Sequence, residues 1–233
     1  TAGSQTVTGT DANELITGVV SSLSSEKTLD SADVIDGGAG TDTAKFDLKT
    51  SFSGFTGDGK MTNVENVELT NEGTVGRTFT GTGTDGVEKY TLNGNVDLVS
   101  MAEISNIDVA DRTSDLSVTY ASKVTDGTAD ELTLSLNNVG TAEDATTTAI
   151  EEKIVKVAIA GVETVNVEAA GVNVVNLDGV AAKAVNVSGA GSVKVTDVNV
   201  ATKTIDASGM TGNVELAMAT ADSATLVSTG SGD

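Results

Sequence analysis

Apolar and polar residues alternate in short runs along much of the chain. Clear runs lie at 63–69, 107–109, 116–120 and 132–136. A period of two places every second side chain on the same face, as in a β-strand with one buried face. Val and Thr recur in these runs, and branching at Cβ favours the extended backbone of a strand. The pattern therefore predicts an all-β protein.

A repeat in the last third of the sequence makes this prediction more specific. Related tripeptides at 165–167, 185–187 and 205–207 follow one another at intervals of 20 residues. Similar regular periods are typical of solenoids, in which each coil stacks on the one before it. Stacked Asn side chains at the repeated position are expected to form a hydrogen-bonded ladder. The predicted fold is a right-handed parallel β-solenoid or β-roll; an antiparallel β-sandwich with evenly spaced hairpins is the alternative.

Three zones follow one another along the chain. Residues 1–50 are rich in glycine and aspartate and predict degenerate calcium-binding coils. Residues 51–152 combine strand-like runs with polar loops and predict an irregular β region with insertions. Residues 153–233 hold the repeat with a period near 20. The first residues have neither the basic nor the apolar region of a signal peptide, and the sequence is expected to be a segment of a longer chain.

Charge and composition exclude several classes of partner. The chain carries 34 Asp and Glu against 13 Lys and Arg, a formal net charge of −21. Such a charge repels nucleic-acid phosphates and anionic membranes. No apolar run approaches the roughly 20 residues that span a bilayer, so membrane insertion is not expected. The charge favours either cation binding or a surface that simply keeps the protein in solution.

The sharpest motif lies at 37–44, where G-G-A-G-T-D-T-A matches the nonapeptide G-G-x-G-x-D-x-U-x of calcium-loaded β-rolls. Nine residues upstream, Asp33 and Ile35 occupy the acidic and apolar positions of a degenerate copy. A further partial copy lies at 9–16, and residues 19–27 are predicted to be an insertion between coils. An ordinary turn is the alternative interpretation, since Gly and Asp are common in turns.

Calcium chemistry accounts for these residue types. Ca²⁺ takes six to eight oxygen ligands at about 2.4 Å, and glycine lets a sharp turn aim several carbonyls at one point. Asp33 and Asp42 are predicted to be the bridging carboxylates, on the assumption that coils stack every nine residues. The remaining predicted ligands are Gly37, Gly38 and Gly40 through their carbonyls, and Asp11, Asn13, Glu14 and Asp36 as secondary ligands.

An enzyme is not expected. The sequence contains no His and no Cys, which removes the usual nucleophiles, bases and zinc ligands. Paired carboxylates can hydrolyse glycosides, but six scattered aromatic residues do not indicate a sugar-binding cleft.

The order of motifs resembles that of calcium-dependent, RTX-type surface-layer (S-layer) proteins of Gram-negative bacteria. Three segments carry the likeness in the first third: TVTGTDANELITG at 6–18, DVIDGGAGTDTAKFDL at 33–48 and MTNVENVEL at 61–69. IAGVETVNV at 159–167 and IDASGMTGNVEL at 205–216 extend it. The resemblance implies a non-catalytic protein that is exported by type I secretion and folds with calcium at the cell surface. It also implies self-association into a two-dimensional lattice, anchored to lipopolysaccharide through other parts of the protein.

Two other functions remain open. A repeat module of a large RTX-type adhesin is the first, although such adhesins usually show long, nearly identical tandem domains. A non-catalytic roll attached to a secreted enzyme is the second, and it would show several complete nonapeptides in succession. This chain contains one.

Overall fold

A computed structural model describes residues 3–143 and 151–216, and the backbone of 226–229. Within these ranges every regular element is a β-strand, so the prediction of an all-β protein is confirmed. Among the described residues no helix has the length and apolar character needed to cross a membrane. The chain divides into two compact units: unit 1 comprises Thr1–Asn106 and Val118–Val124, and unit 2 comprises Ile107–Ser117 and Thr125–Asp233. The zone boundaries at residues 50 and 152 stay predictions.

Unit 1 is built from ten strands and most of β12. They are β1 (Thr6–Thr8), β2 (Leu15–Val20), β3 (Val34–Asp36), β4 (Thr43–Leu48), β5 (Lys60–Thr62), β6 (Asn66–Asn71), β7 (Arg77–Thr80), β8 (Thr84–Asp85), β9 (Lys89–Gly94), β10 (Val96–Met101) and β12 (Leu116–Tyr120). One sheet has the order β1-β3-β5-β8, a second includes β2-β4-β6-β9, and a third includes β7-β10-β12. Neighbouring strands in these sheets pair in parallel, so the chain winds through successive coils.

Unit 2 repeats the same construction with longer strands. They are β11 (Asn106–Ala110), β13 (Glu131–Asn137), β14 (Val155–Ile159), β15 (Thr164–Ala170), β16 (Val172–Val180), β17 (Ala184–Gly189), β18 (Ser192–Val198), β19 (Thr204–Met210), β20 (Val214–Leu216) and β21 (Leu226–Thr229). The odd-numbered strands pair in sequence from β11 to β21, and the even-numbered strands pair from β14 to β20. From β14 onward, each coil therefore contributes one strand to each of two sheets.

The repeat predicted from the tripeptides at 165–167, 185–187 and 205–207 is confirmed by the pairing register. Val165 lies opposite Val185, and Val185 lies opposite Ile205, all in parallel strands. The alternative of an antiparallel sandwich is wrong, because stacking of coils pairs each strand with the equivalent strand one coil away and not with its neighbour in sequence. Alternation with a period of two is common to both folds and could not separate them.

The inward positions of the strands form a narrow core in each unit. In unit 2 this core is aliphatic, with Leu132, Val165, Val185 and Ile205 stacked in one buried column. The core of unit 1 contains an aromatic cluster as well. The ring centroids of Phe46 and Phe79 lie 6.4 Å apart, and the ring of Phe52 lies 5.3 Å from that of Phe79. Large rings therefore fill part of the interior of unit 1.

One charged side chain lies in the interior of unit 2. Arg112 is only 2% exposed, and its Nε donates to the carbonyl of Ser114 at 2.9 Å while Nη2 donates to the carbonyl of Asp115. The backbone N–H of Gly140 in turn donates to the carbonyl of Arg112 at 2.7 Å. The planar guanidinium thus fixes the turn between β11 and β12, since its donors match several carbonyls at once.

Candidate functional site

Two six-residue turns of unit 1 lie one upon the other. Residues 9–14 join β1 to β2, and residues 37–42 join β3 to β4, with an offset of 28 residues between equivalent positions. The N–H of Ala39 donates to the carbonyl of Thr10 at 2.8 Å, and the N–H of Thr41 donates to Asn13 Oδ1 at 3.0 Å. Seven of the nine predicted ligands lie on these stacked turns: Asp11, Asn13, Glu14, Gly37, Gly38, Gly40 and Asp42. Asp36 is the last residue of β3, directly before the second turn.

The coil length differs from the nine residues assumed from the nonapeptide. Val34 pairs with Thr6, and Thr43 pairs with Leu15, so equivalent positions are separated by a much longer stretch of chain. Nine residues after Asp33 the chain has moved to a different sheet of the same coil. The coil is long because it contributes one strand to each of two sheets before it returns to the first, and residues 21–33 between β2 and β3 lengthen it further.

The glycines of the turns are explained by the close approach of successive coils. A Cβ added at Gly9 would lie 1.9 Å from the carbonyl oxygen of Gly37, and one at Gly37 would lie 1.8 Å from that of Asn63. At Gly38, where φ is +94°, a Cβ would lie 2.2 Å from the carbonyl oxygen of Thr10. Real Cβ atoms do not approach backbone oxygens at these distances, so the stack requires glycine at these positions.

Asp42 is the most deeply buried acidic residue of the turns, with a relative exposure of 0%. Its Oδ1 accepts the backbone N–H of Glu14 at 2.6 Å, and its own N–H donates to Glu65 Oε2 at 2.6 Å. Its second oxygen, Oδ2, is buried near Gly37 and has no hydrogen-bond partner. A buried carboxylate oxygen without a partner is costly, and a cation bound beside it would offset that cost.

Glu14, Asp42 and Glu65 occupy the same position on three successive coils. Each residue immediately precedes a strand of the second sheet: β2, β4 and β6 respectively. Sequence reasoning missed Glu65, because the turn before β6 lacks the glycines of the nonapeptide. The signal that could have found it is the recurrence of an acidic residue directly before each alternating run.

Hydrogen bonds hold two other predicted ligands in their ionised form. Glu14 accepts the hydroxyl of Thr10 at 2.5 Å and the N–H of Thr10 at 2.9 Å, and the hydroxyl is the main cause that lowers the pKa of Glu14. Asp36 Oδ1 accepts the amide of Asn63 at 2.8 Å and the N–H of Gly38 at 3.1 Å. The Asn63 amide is the larger of these two causes that lower the pKa of Asp36.

Asp33 lies at a different corner of the coil, directly before β3. It is 3% exposed, and its two oxygens accept the N–H groups of Gln5 at 2.8 Å and Asp30 at 2.7 Å. The structure therefore places Asp33 and Asp42 before strands of two separate sheets. Through Gln5, Asp33 fastens the coil that contains β3 to the coil that contains β1.

The fit of the turns to a metal ion rests on few side chains. Within residues 3–143 and 151–216, no group of three or more Asp or Glu side chains is arranged to hold a metal ion. Without such a cluster, the possible metal ligands are the unpartnered Asp42 Oδ2 and backbone oxygens of the surrounding turns. Such a mixed set of one carboxylate and several carbonyls is compatible with Ca²⁺, which prefers hard oxygen ligands.

No family model matches the chain, and neither a curated protein nor a solved structure matches it.

Proposed function

We propose that this chain is a structural, non-catalytic segment of a calcium-dependent surface layer on a Gram-negative bacterium. Two features support the proposal: the order of motifs that resembles the RTX-type S-layer proteins, and a parallel solenoid that bears its nonapeptide on stacked turns. The observation that carries it is Asp42 Oδ2, a buried carboxylate oxygen without a partner inside that nonapeptide.

Calcium would act in this proposal as a fastener between coils. Asp42 would hold the ion through Oδ2, with carbonyl oxygens of the 9–14 and 37–42 turns completing the set. Bound Ca²⁺ would offset the repulsion among the carboxylates of Glu14, Asp42 and Glu65, which follow one another along the stack. Extracellular calcium modules bind at about 10⁻⁴ to 10⁻³ M, so the site would fill only after export.

The solenoid form suits a lattice subunit. Its backbone hydrogen bonds run between coils, and its outward positions carry short polar and acidic side chains such as Asn166, Asn186 and Asp206. Self-association of such subunits at the cell surface, with lipopolysaccharide as the anchor for other parts of the protein, completes the proposal.

A calcium titration with matched variants tests the metal part of the proposal. Ca²⁺ is expected to raise the melting temperature of the wild type, and Asp42→Asn is expected to abolish that shift because it removes the negative oxygen. Asp33→Asn is the control: both Asp33 oxygens already accept hydrogen bonds, so this variant should melt lower and still respond to Ca²⁺. An equal calcium response in wild type and Asp42→Asn would contradict the assignment.

Electron microscopy tests the lattice part. The protein in about 1 mM Ca²⁺ is expected to form ordered two-dimensional sheets that dissolve in chelator. Dispersed particles under both conditions would favour the adhesin module instead.

A further inference from the structure

A polar notch in unit 1 lies away from the stacked turns. It is formed where β4 and β6 end and β7 begins, and it has a volume of about 230 Å³. Seven residues line it: Asp47, Leu48, Lys49, Asn71, Glu72, Gly73 and Arg77. Basic residues are few in this chain, which has a net charge of −21, yet two of them line this one notch.

Arg77 supplies the first reason to expect a ligand. Its Nε is buried and has no hydrogen-bond partner. A buried donor without an acceptor is destabilising, so the Arg77 side chain is not fully satisfied by the protein itself. Arg77 also lines the notch, and a guanidinium is suited to a planar oxyanion that it can bind through two parallel hydrogen bonds. Lys49 adds a second positive charge at the same notch; its Nζ lies 3.3 Å from Glu26 in an exposed pair that is easily exchanged for another partner.

The walls of the notch are fixed before any ligand arrives. Asn71 is 5% exposed, and its amide donates to the carbonyls of Val75 at 2.9 Å and Asn95 at 2.8 Å, while its Oδ1 accepts the N–H of Gly73 at 3.0 Å. The N–H of Arg77 donates to the carbonyl of Asn95 at 3.0 Å. Preorganised walls lower the conformational entropy lost on binding.

The acidic side chains of the notch restrict what the anion can be. Asp47 and Glu72 line the same cavity as Arg77 and Lys49, so the four charges of the lining cancel. A ligand with one negative charge and several hydrogen-bond donors can satisfy the two cations and the two carboxylates together. The oxygens of a phosphate dianion would instead be repelled by Asp47 and Glu72. The carboxylates of Asp47 and Glu72 can also accept hydrogen bonds from hydroxyl or ammonium groups of the same ligand.

We propose that this notch binds a small monocarboxylate that also carries hydroxyl or ammonium groups, with Arg77 and Lys49 on its carboxylate and Asp47 and Glu72 on its donors. An acidic sugar unit and a free amino acid share this chemistry. The site depends neither on calcium nor on lattice formation.

Titration by isothermal calorimetry or by NMR distinguishes the two sources. Glucuronate represents the acidic sugar and serine the amino acid; glucose and inorganic phosphate are the probes that lack a carboxylate. Wild-type protein is expected to bind glucuronate or serine saturably, and more tightly than glucose or phosphate. Whichever of the two binds identifies the source.

Variants of the notch complete the test. Arg77→Gln and Lys49→Gln are each expected to weaken binding roughly tenfold or more, since each removes a charge-assisted hydrogen bond. Lys45→Gln is the matched control, because Lys45 pairs with Glu68 at 2.7 Å outside the notch lining. Lys49 is exposed, so Lys49→Gln leaves the fold intact and keeps the test valid if Arg77→Gln melts early. The proposal would be overturned if Lys49→Gln bound the carboxylate ligand as tightly as the wild type does. It would also be overturned if glucose bound as tightly as glucuronate and serine, or if no binding saturated up to about 10 mM ligand.

Discussion

At the scale of single residues, backbone contact between coils decides which side chains are allowed at the turns. Gly9, Gly37 and Asn63 occupy equivalent positions on three coils, and the carbonyl oxygen of each coil faces the α-carbon of the coil before it. Glycine at the first two positions is therefore a requirement of stacking, whether or not a metal ion is bound. The acidic residues at the same turns act on the backbone as well, with Asp42 accepting the N–H of Glu14.

Gly37→Ala tests this steric argument. The added methyl group would lie 1.8 Å from the carbonyl oxygen of Asn63, so the coils must move apart. We expect the free energy of unfolding to fall by about 2 kcal/mol or more, measured by urea denaturation and circular dichroism in chelator. Gly73→Ala is the control, because its Cβ would meet only Asn71 Oδ1 at 3.2 Å. Similar losses in the two variants would contradict the steric explanation.

The two tyrosines provide an optical test of burial in unit 1. Burial raises the pKa of Tyr90 and of Tyr120 above the ordinary value of 10.0. A raised pKa in the folded state favours the neutral phenol, so this contribution to stability is complete below about pH 10 and is lost as the pH rises toward the folded pKa. Absorbance in the near ultraviolet should therefore show tyrosinate only when circular dichroism shows unfolding. Ionisation near the ordinary pKa in a folded protein would contradict this prediction.

At the scale of the elements, unit 2 shows how one short repeat fixes the pairing of whole strands. Asn186 Nδ2 donates to Asn166 Oδ1 at 2.8 Å, and Asn166 Nδ2 donates to Glu131 Oε1 at 2.5 Å. The predicted Asn ladder is thus confirmed between β15 and β17, where Asn166 lies opposite Asn186. The bond to Glu131 is diagonal, since Glu131 lies opposite Thr164. Because a side-chain ladder forms only when equivalent positions are aligned, the Asn pair opposes a slip of register between β15 and β17.

Asn166→Ala removes two of these side-chain hydrogen bonds at once. We expect a loss of about 1–2 kcal/mol in the free energy of unfolding, and a smaller loss for Asn186→Ala. Chemical denaturation followed by far-ultraviolet circular dichroism measures both. Thr164→Ala, which truncates the residue two positions earlier on the same face of β15, serves as the reference for loss of β-propensity. If Asn166→Ala were as stable as Thr164→Ala, the side-chain hydrogen bonds of Asn166 would make no contribution to the free energy of unfolding.

At the scale of the whole molecule, charge is the main opposing force. The excess of 21 negative charges is distributed over a protein whose cations are few. Ion pairs in the described part of the chain, such as Lys45–Glu68 and Lys27–Asp30, are partly exposed. Exposed pairs contribute little to stability. The folded state is therefore expected to gain from added cations in two ways, through general screening and through occupation of the stacked turns.

Salt and divalent cations separate these two effects. NaCl is expected to raise the melting temperature gradually, because screening reduces repulsion between surface carboxylates. At matched ionic strength, Ca²⁺ should raise it further than Mg²⁺, since Mg²⁺ gives up its water less readily and demands a stricter geometry. Equal shifts with the two ions would mean that screening alone acts.

The alternating runs, the absence of proline and the regular interval of the repeat were enough to predict a parallel solenoid and the partners of Val165 and Val185. Both follow from local periodicity, because each short strand can bury its apolar face only against an equivalent strand. Local spacing could not reveal the longer coil of unit 1, since the insertion after β2 changes which residues meet across coils. The tertiary structure also decided that Asp33 and Asp42 lie apart, because the chain moves from one sheet to another between them within one coil. The role of Glu65 and the notch at Arg77 depend on residues brought together from different coils.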